Sequence, residues 1–153
     1  MTRKTGLKVQ IDFRCNEGLK TQVGEIKLFR KVNGKYTNRI GYVSFYCDDL
    51  VVNGDWLEID KYHRHYGYGS ILMTIIMGFA QILNKPVLLY ATDEEAAAFH
   101  KTLGFVSMTN PKIKKKIVTV NKNPKLQAYE WEKLDMIWLP PKLRRKCKIR
   151  VYG

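Results

Sequence analysis

Residues 55–83 constrain this chain more than any other stretch. Residues 55–59, Asp-Trp-Leu-Glu-Ile, read as a short strand; a turn holding Gly67 and Gly69 follows; residues 70–83 are apolar on nearly every face. Glycine bends backbone tightly and lets a ligand approach with no Cβ in the way. The first amides of a helix have no partner inside it, and with the helix dipole they form a site for a phosphate group. Lys61 and Arg64 add positive charge. Strand, glycine turn and helix together predict a pyrophosphate cradle. A plain turn explains two glycines as simply. The third glycine of a dinucleotide fingerprint would fall at Leu72, and no Gly-Lys-Ser/Thr follows as in a P-loop.

The rest of the pattern sets this unit in a sheet. Residues 7–13 alternate apolar and polar, as a half-buried strand does. Residues 14–24, polar and holding Gly18 and Gly24, read as a connection. A second strand over 25–32 ends in Asn33-Gly34, a two-residue hairpin signal, and a third runs through 40–46. A second Asn-Gly at 53–54 precedes the strand 55–59. Asn84-Lys85-Pro86 stops the apolar helix, and 87–91 is a continuous apolar run, the mark of a strand covered on both faces. Strand, helix and strand make a βαβ unit with parallel strands 55–59 and 87–91. Asp93 caps a second helix over 94–103, which Gly104 ends. Residues 114–120 and 133–139 read as strands. Pro140-Pro141 then leads into an extended basic arm. The fold class expected is α/β of the α+β type: a mixed, mostly antiparallel central sheet around a βαβ core. One domain spans 1–139, and 140–153 is a basic tail.

Composition narrows the class. An apolar fraction of 45% with 12% aromatic residues excludes disorder. The longest apolar run, 71–83, is too short to span a bilayer, and the N-terminus lacks the apolar region of a secretory signal. Cys15, Cys47 and Cys147 are odd in number and far apart, which suits neither a disulfide framework nor a zinc site. A soluble cytoplasmic protein with reduced thiols, no metal and no membrane contact is the expectation. Net charge is +13, and residues 111–153 hold thirteen Lys/Arg against Glu130, Glu132 and Asp135. Lysines of 112–116 and basic residues of 142–150 offer a contact for a polyanion; a solvated face explains them equally.

Two motifs then combine. Arg64-His65-Tyr66-Gly67-Tyr68-Gly69 matches the Arg/Gln-x-x-Gly-x-Gly/Ala signature of the GNAT acetyltransferase superfamily. Downstream, residues 96–105, Ala-Ala-Ala-Phe-His-Lys-Thr-Leu-Gly-Phe, resemble that family's Ala-x-x-Phe-Tyr-x-x-x-Gly-Phe segment. Both lie in the family's order, with a buried helix and an apolar strand between them, and the resemblance covers about residues 25–108.

That resemblance implies an acetyl-CoA-dependent N-acetyltransferase. Acetyl-CoA would be held by backbone amides of the loop His65, Tyr66, Gly67, Tyr68, Gly69 and Ser70, beside Arg64, with Asp93 and Phe99 also in the cofactor set. The pantetheine arm would enter where the two parallel strands splay. Backbone near Ile59 would bind the thioester carbonyl and then the oxyanion. The amine attacks directly, so no nucleophilic side chain is needed. Where many members carry a tyrosine that protonates the leaving thiolate, this chain has His100, which near its ordinary pKa is a general acid or else simply fills the tyrosine's space. Glu58 is the candidate general base, or a solvated strand residue. The link 14–24 is short where the family has one or two helices over the acceptor site, so an open acceptor face is expected. That favours a macromolecular amine acceptor, a protein or an RNA, and pairing into a homodimer remains open. A different reading is a GNAT-fold binding module without chemistry, holding nucleic acid or an acidic protein through its basic C-terminal third.

Overall fold

The structure, a computed structural model, describes residues 5–16, 21–47, 51–111, 114–115 and 132–147. The chain divides into two compact units, residues 1–49 with 54–76 and residues 50–53 with 77–153. The sheet is mixed and mostly antiparallel, with helices between strands, as the sequence predicts.

The first unit is a meander of β1 (Thr5–Asn16), β2 (Thr21–Val32), β3 (Lys35–Cys47) and the end of β4 (Val52–Ile59), ordered β1-β2-β3-β4. Asn33 and Gly34 both take positive φ, 51° and 79°, and Val32 pairs with Lys35. This is the two-residue turn whose twist matches that of the flanking strands. Alternation buries Ile26 and Leu28 on β2, and Val43 and Phe45 on β3; Leu72, Met73 and Ile76 of α1 (Tyr68–Leu83) are buried as well.

The expected connection 14–24 is mostly strand. β1 and β2 pair continuously from Thr5↔Val32 to Asn16↔Thr21, leaving four residues between them. Gly24 suggested a turn because glycine usually marks one. Here the Phe45 ring lies over it, and a Cβ at Gly24 would come within 2.4 Å of that ring. Phe13 meets Phe45 edge-on, with centroids 5.5 Å apart. Asn53-Gly54 is likewise inside β4, and Gly54 does not take positive φ, so this second Asn-Gly makes no turn.

Helix α1 is not buried all round. Thr74, Gly78, Gln81 and Ile82 form an exposed strip at helical spacing, and Ile82 is 82% exposed. Its end is a Schellman motif with Asn84 at φ 53°: Asn84 N–H donates to Gln81 O and Lys85 N–H to Ala80 O.

In the second unit the strand order is the start of β4, then β5 (Val87–Tyr90), β7 (Asp135–Trp138) and β6 (Val106–Ser107). Val52 N–H donates to Pro86 O at 2.9 Å, which joins the start of β4 to the residue before β5. β5 pairs antiparallel with β7. The strand covered on both faces is β7, all four of whose residues are buried; on β5 Tyr90 is exposed. α2 (Glu94–Thr102) starts at Asp93, whose Oδ1 accepts from Ala96 N–H at 2.7 Å. Removing that cap by Asp93→Ala should cost about 1 kcal/mol in chemical denaturation. Gly104, at φ 99°, ends the helix in a second Schellman motif, with Gly104 N–H on Lys101 O and Phe105 N–H on His100 O.

Two C-terminal expectations are corrected. Residues 114 and 115 are helical, and Lys114 N–H donates to Asn110 O, so the expected strand 114–120 does not begin there. The rest of that segment lies outside the described residues. Pro141 opens a helix, α3 (Pro141–Cys147), where an extended arm was expected. Proline suits the first helical position because its φ is already helical and its missing N–H has no role there. Leu143 is buried, and Arg144 donates to Leu139 O at 2.9 Å while lying 5.7 Å from the Trp138 ring centre.

Candidate functional site

The loop between β4 and α1 is built on two anchors. Asp60 N–H donates to Ile40 O at 2.7 Å, which ties the end of β4 to β3. Successive strand residues point their amides to opposite edges, so the Ile59 N–H and C=O face away from β3. The Ile59 carbonyl accepts from Arg64 Nε at 3.0 Å, and this bond folds the loop back onto the strand end. Lys61–His63 make one 3-10 turn, and His63 N–H returns to Asp60 O.

His65 and Gly67 then take positive φ, 68° and 81°. Gly67 has open space where a Cβ would stand, so it is required for its backbone angle rather than for clearance. Ile71 N–H donates to Gly67 O at 3.2 Å as the first helical bond. The amides of Tyr68, Gly69 and Ser70 precede it and have no partner within the helix by its geometry. They point out of the N-terminus of a 16-residue helix with no acidic residue in its first turn. Such an end attracts an anion, and Arg64 and Lys61, both exposed, add charge beside it. His65, Tyr66 and Gly67 are exposed, and Tyr68, Gly69 and Ser70 are half-buried. The structure thus brings Ile59, Arg64 and residues 65–70 together in one element of the first unit.

Gly41 supports this element from β3. A Cβ there would come within 2.6 Å of both Glu58 O and Ile59 Cδ1. Gly41→Ala should therefore displace the end of β4 and lower stability by about 1–3 kcal/mol, measured by thermal or urea unfolding.

Glu58 is exposed, and its Oε2 accepts from Trp56 Nε1 at 3.4 Å. Burial and then Glu58, to which the Tyr42 hydroxyl is hydrogen-bonded, raise the Tyr42 pKa; Arg39 over the Tyr42 ring acts the other way. Nothing in the sequence marks Tyr42, because a pleated strand hides its cross-strand partners. Of the loop tyrosines, Tyr66 and Tyr68 belong to the expected cofactor set and Tyr62 does not. Tyr62 is 85% exposed and Tyr66 72% exposed, and Tyr68 lies 6.3 Å from both the His63 and Tyr66 rings.

In the second unit, Phe99 and His100 lie on α2 and Asp93 caps it. His100 is 6% exposed, with its ring between Phe99 at 5.1 Å and Phe105 at 5.4 Å. Its Nδ1 is buried and has no hydrogen-bond partner among the described residues. Burial pushes its pKa down to about 4. An imidazole near its ordinary pKa, the premise for a general acid here, is therefore not what the fold supplies. At neutral pH the ring is uncharged and sits where the Schellman motif places its apolar contact, against Phe105.

No protein-family model and no curated protein sequence matches the chain. Solved structures are similar. A point mutant of the AtaT toxin bound to the C-terminus of the antitoxin AtaR is 15% identical with a TM-score of 0.56, over 91% of this chain and 96% of that one. AtaTR bound with acetyl-CoA is 15% identical with a TM-score of 0.54, over the same 91% and 96%. The KacTA–DNA complex contains a chain 14% identical with a TM-score of 0.54, over 92% of this chain and 97% of that one. At such identities the likeness is one of fold. The chain has the GNAT acetyltransferase fold.

Proposed function

We propose that the protein is an N-acetyltransferase that uses acetyl-CoA as co-substrate and passes the acetyl group to an amine on a macromolecule. The observation that carries this reading is the loop at Gly67, whose left-handed backbone opens a helix N-terminus beside Arg64. A protein of the same fold has been solved with acetyl-CoA. The co-substrate supplies an activated thioester. In the proposal, the amides of residues 67–70 hold its pyrophosphate and Arg64 adds charge. The Ile59 N–H, on the edge of β4 away from β3, donates to the carbonyl oxygen as negative charge develops there. Asp93 and Phe99 complete the cofactor set in the same proposal. The acceptor amine attacks directly and loses its proton to water or to Glu58; the acetyl carbon–sulfur bond breaks and the thiol of CoA leaves. With His100 neutral and enclosed by phenylalanines, the thiolate takes its proton from solvent.

A macromolecular acceptor suits the long β1–β2 pairing, which reaches Asn16↔Thr21 and leaves four residues of connection. The polyanion contact through 112–116 and 142–150 stays part of the proposal: among its described members Lys115, Lys142, Arg145 and Lys146 are exposed, whereas Arg144 is engaged with Leu139 and Trp138. The test is incubation of the full chain with isotopically labelled acetyl-CoA and separate protein and RNA fractions, followed by mass spectrometry. Label in an amide with release of CoA supports the reading. Intact acetyl-CoA binding with no transfer to either fraction favours a binding module that keeps the fold without the chemistry.

A further inference from the structure

The loop of the first unit also makes a second surface. Tyr62, His63, Tyr66 and Tyr68 face Gly6, Leu7 and Arg30 across a cleft of about 460 Å³. Leu7 pairs with Arg30 where β1 begins and β2 ends, so the cleft lies at the hairpin end of the meander. Tyr62 and Tyr66 expose most of their surface. Large planar faces held open to water favour a partner that stacks on them. Among the described residues that line the cleft, Arg30 is the charged one and none is a carboxylate. Three tyrosines alone would suit an ammonium group, but an arginine among them repels a cation and attracts an anion.

Basic and aromatic groups continue around the hairpin end. The neighbour of Arg30, Lys31, holds its Nζ 5.8 Å from the centre of the Tyr36 ring, and Lys8 Nζ lies 3.9 Å from it. Tyr36 is itself exposed. Stacking platforms interleaved with cations are the chemistry that holds unpaired bases and their phosphates. A double helix keeps its base faces stacked inside and cannot offer them to these rings.

We propose that this cleft is a binding site for single-stranded nucleic acid, with a base stacked on Tyr62 and Tyr66 and its phosphate on Arg30. The cleft shares Tyr66 and Tyr68 with the loop proposed for acetyl-CoA but takes a separate ligand, and its test omits acetyl-CoA. Anisotropy of a labelled single-stranded RNA about 12 nucleotides long, near the span of one such site, measures binding to the full chain. Tyr62→Ala should weaken binding about tenfold or more, and Tyr62→Trp should retain it. Arg30→Gln should weaken binding and lower the log–log salt slope by about 0.7 between about 50 and about 200 mM salt. Tyr62 is on the surface, so both of its variants keep the fold, which circular dichroism checks. The proposal is overturned if Tyr62→Ala binds as tightly as wild type. It is overturned equally if duplex of the same sequence, heparin or an acidic peptide competes as well as the single strand, since bare charge then accounts for binding. Absence of binding at low salt overturns it outright.

Discussion

Gly67→Val should lose acetyl-CoA affinity by about 100-fold or more while the protein stays folded. A Cβ at residue 67 meets nothing within 4 Å, so no clash unfolds the chain. The φ of +81° is the difficulty. Left-handed backbone costs an L residue about 1–2 kcal/mol, and more for a β-branched one. The loop relieves that strain by moving, and the amides of Tyr68, Gly69 and Ser70 then aim elsewhere. At acetyl-CoA about 100 times its dissociation constant, wild type should gain about 2.7 kcal/mol by mass action and show a raised Tm. The variant should show almost none of that rise. Gly67→Ala should fall between the two. A valine variant with the wild-type shift would remove the loop from cofactor binding.

The second large effect belongs to His100. Its folded pKa of about 4 lies below the usual value near 6.5, and burial is the cause. A depressed histidine pKa means that the unfolded chain binds a proton over pH 4–6.5 and the folded one does not. Stability from this group is therefore complete above about pH 6.5 and is lost as pH falls toward 4. The full difference is about 3 kcal/mol. Asp135, whose pKa is raised by burial, acts in the opposite sense in acid. Comparison with His100→Leu isolates the histidine. Between pH 7 and pH 4.5, wild type should lose about 2 kcal/mol more than the variant in urea unfolding. Parallel pH curves would mean that the ring is protonated in the fold. At neutral pH the same variant should keep turnover within a few fold, because an uncharged imidazole is a poor acid. A drop of about 100-fold would restore His100 to the chemistry.

The backbone of the loop between β4 and α1 was legible because its signals are local. Arg64, Gly67 and the apolar stretch after Ser70 lie within one turn and one helix, and Asn33-Gly34, Asp93, Asn84 and Gly104 all act over two to five residues. What failed needed the third dimension. Gly24 looks like punctuation until Phe45 from the next strand lies over it. Pro141 looks like a stop, yet the pocket for Leu143 and the Trp138 ring beside Arg144 make a helix the better continuation. His100 was given an ordinary pKa because sequence does not reveal that Phe99 and Phe105 enclose it. The tyrosine cleft was hidden for a related reason: Arg30 and Leu7 reach it from strands more than thirty residues before the loop.

In the proposed reading, backbone amides at the start of α1 grip the pyrophosphate of acetyl-CoA. Titration of 15N-labelled protein with acetyl-CoA, followed by amide chemical shifts, tests it most directly. The amides of Gly67, Tyr68, Gly69, Ser70 and Ile71 should move furthest, with the Ile59 amide next, and CoA itself should reproduce the loop shifts. No movement of residues 67–71 at millimolar acetyl-CoA, or movement confined to other segments, would contradict the account.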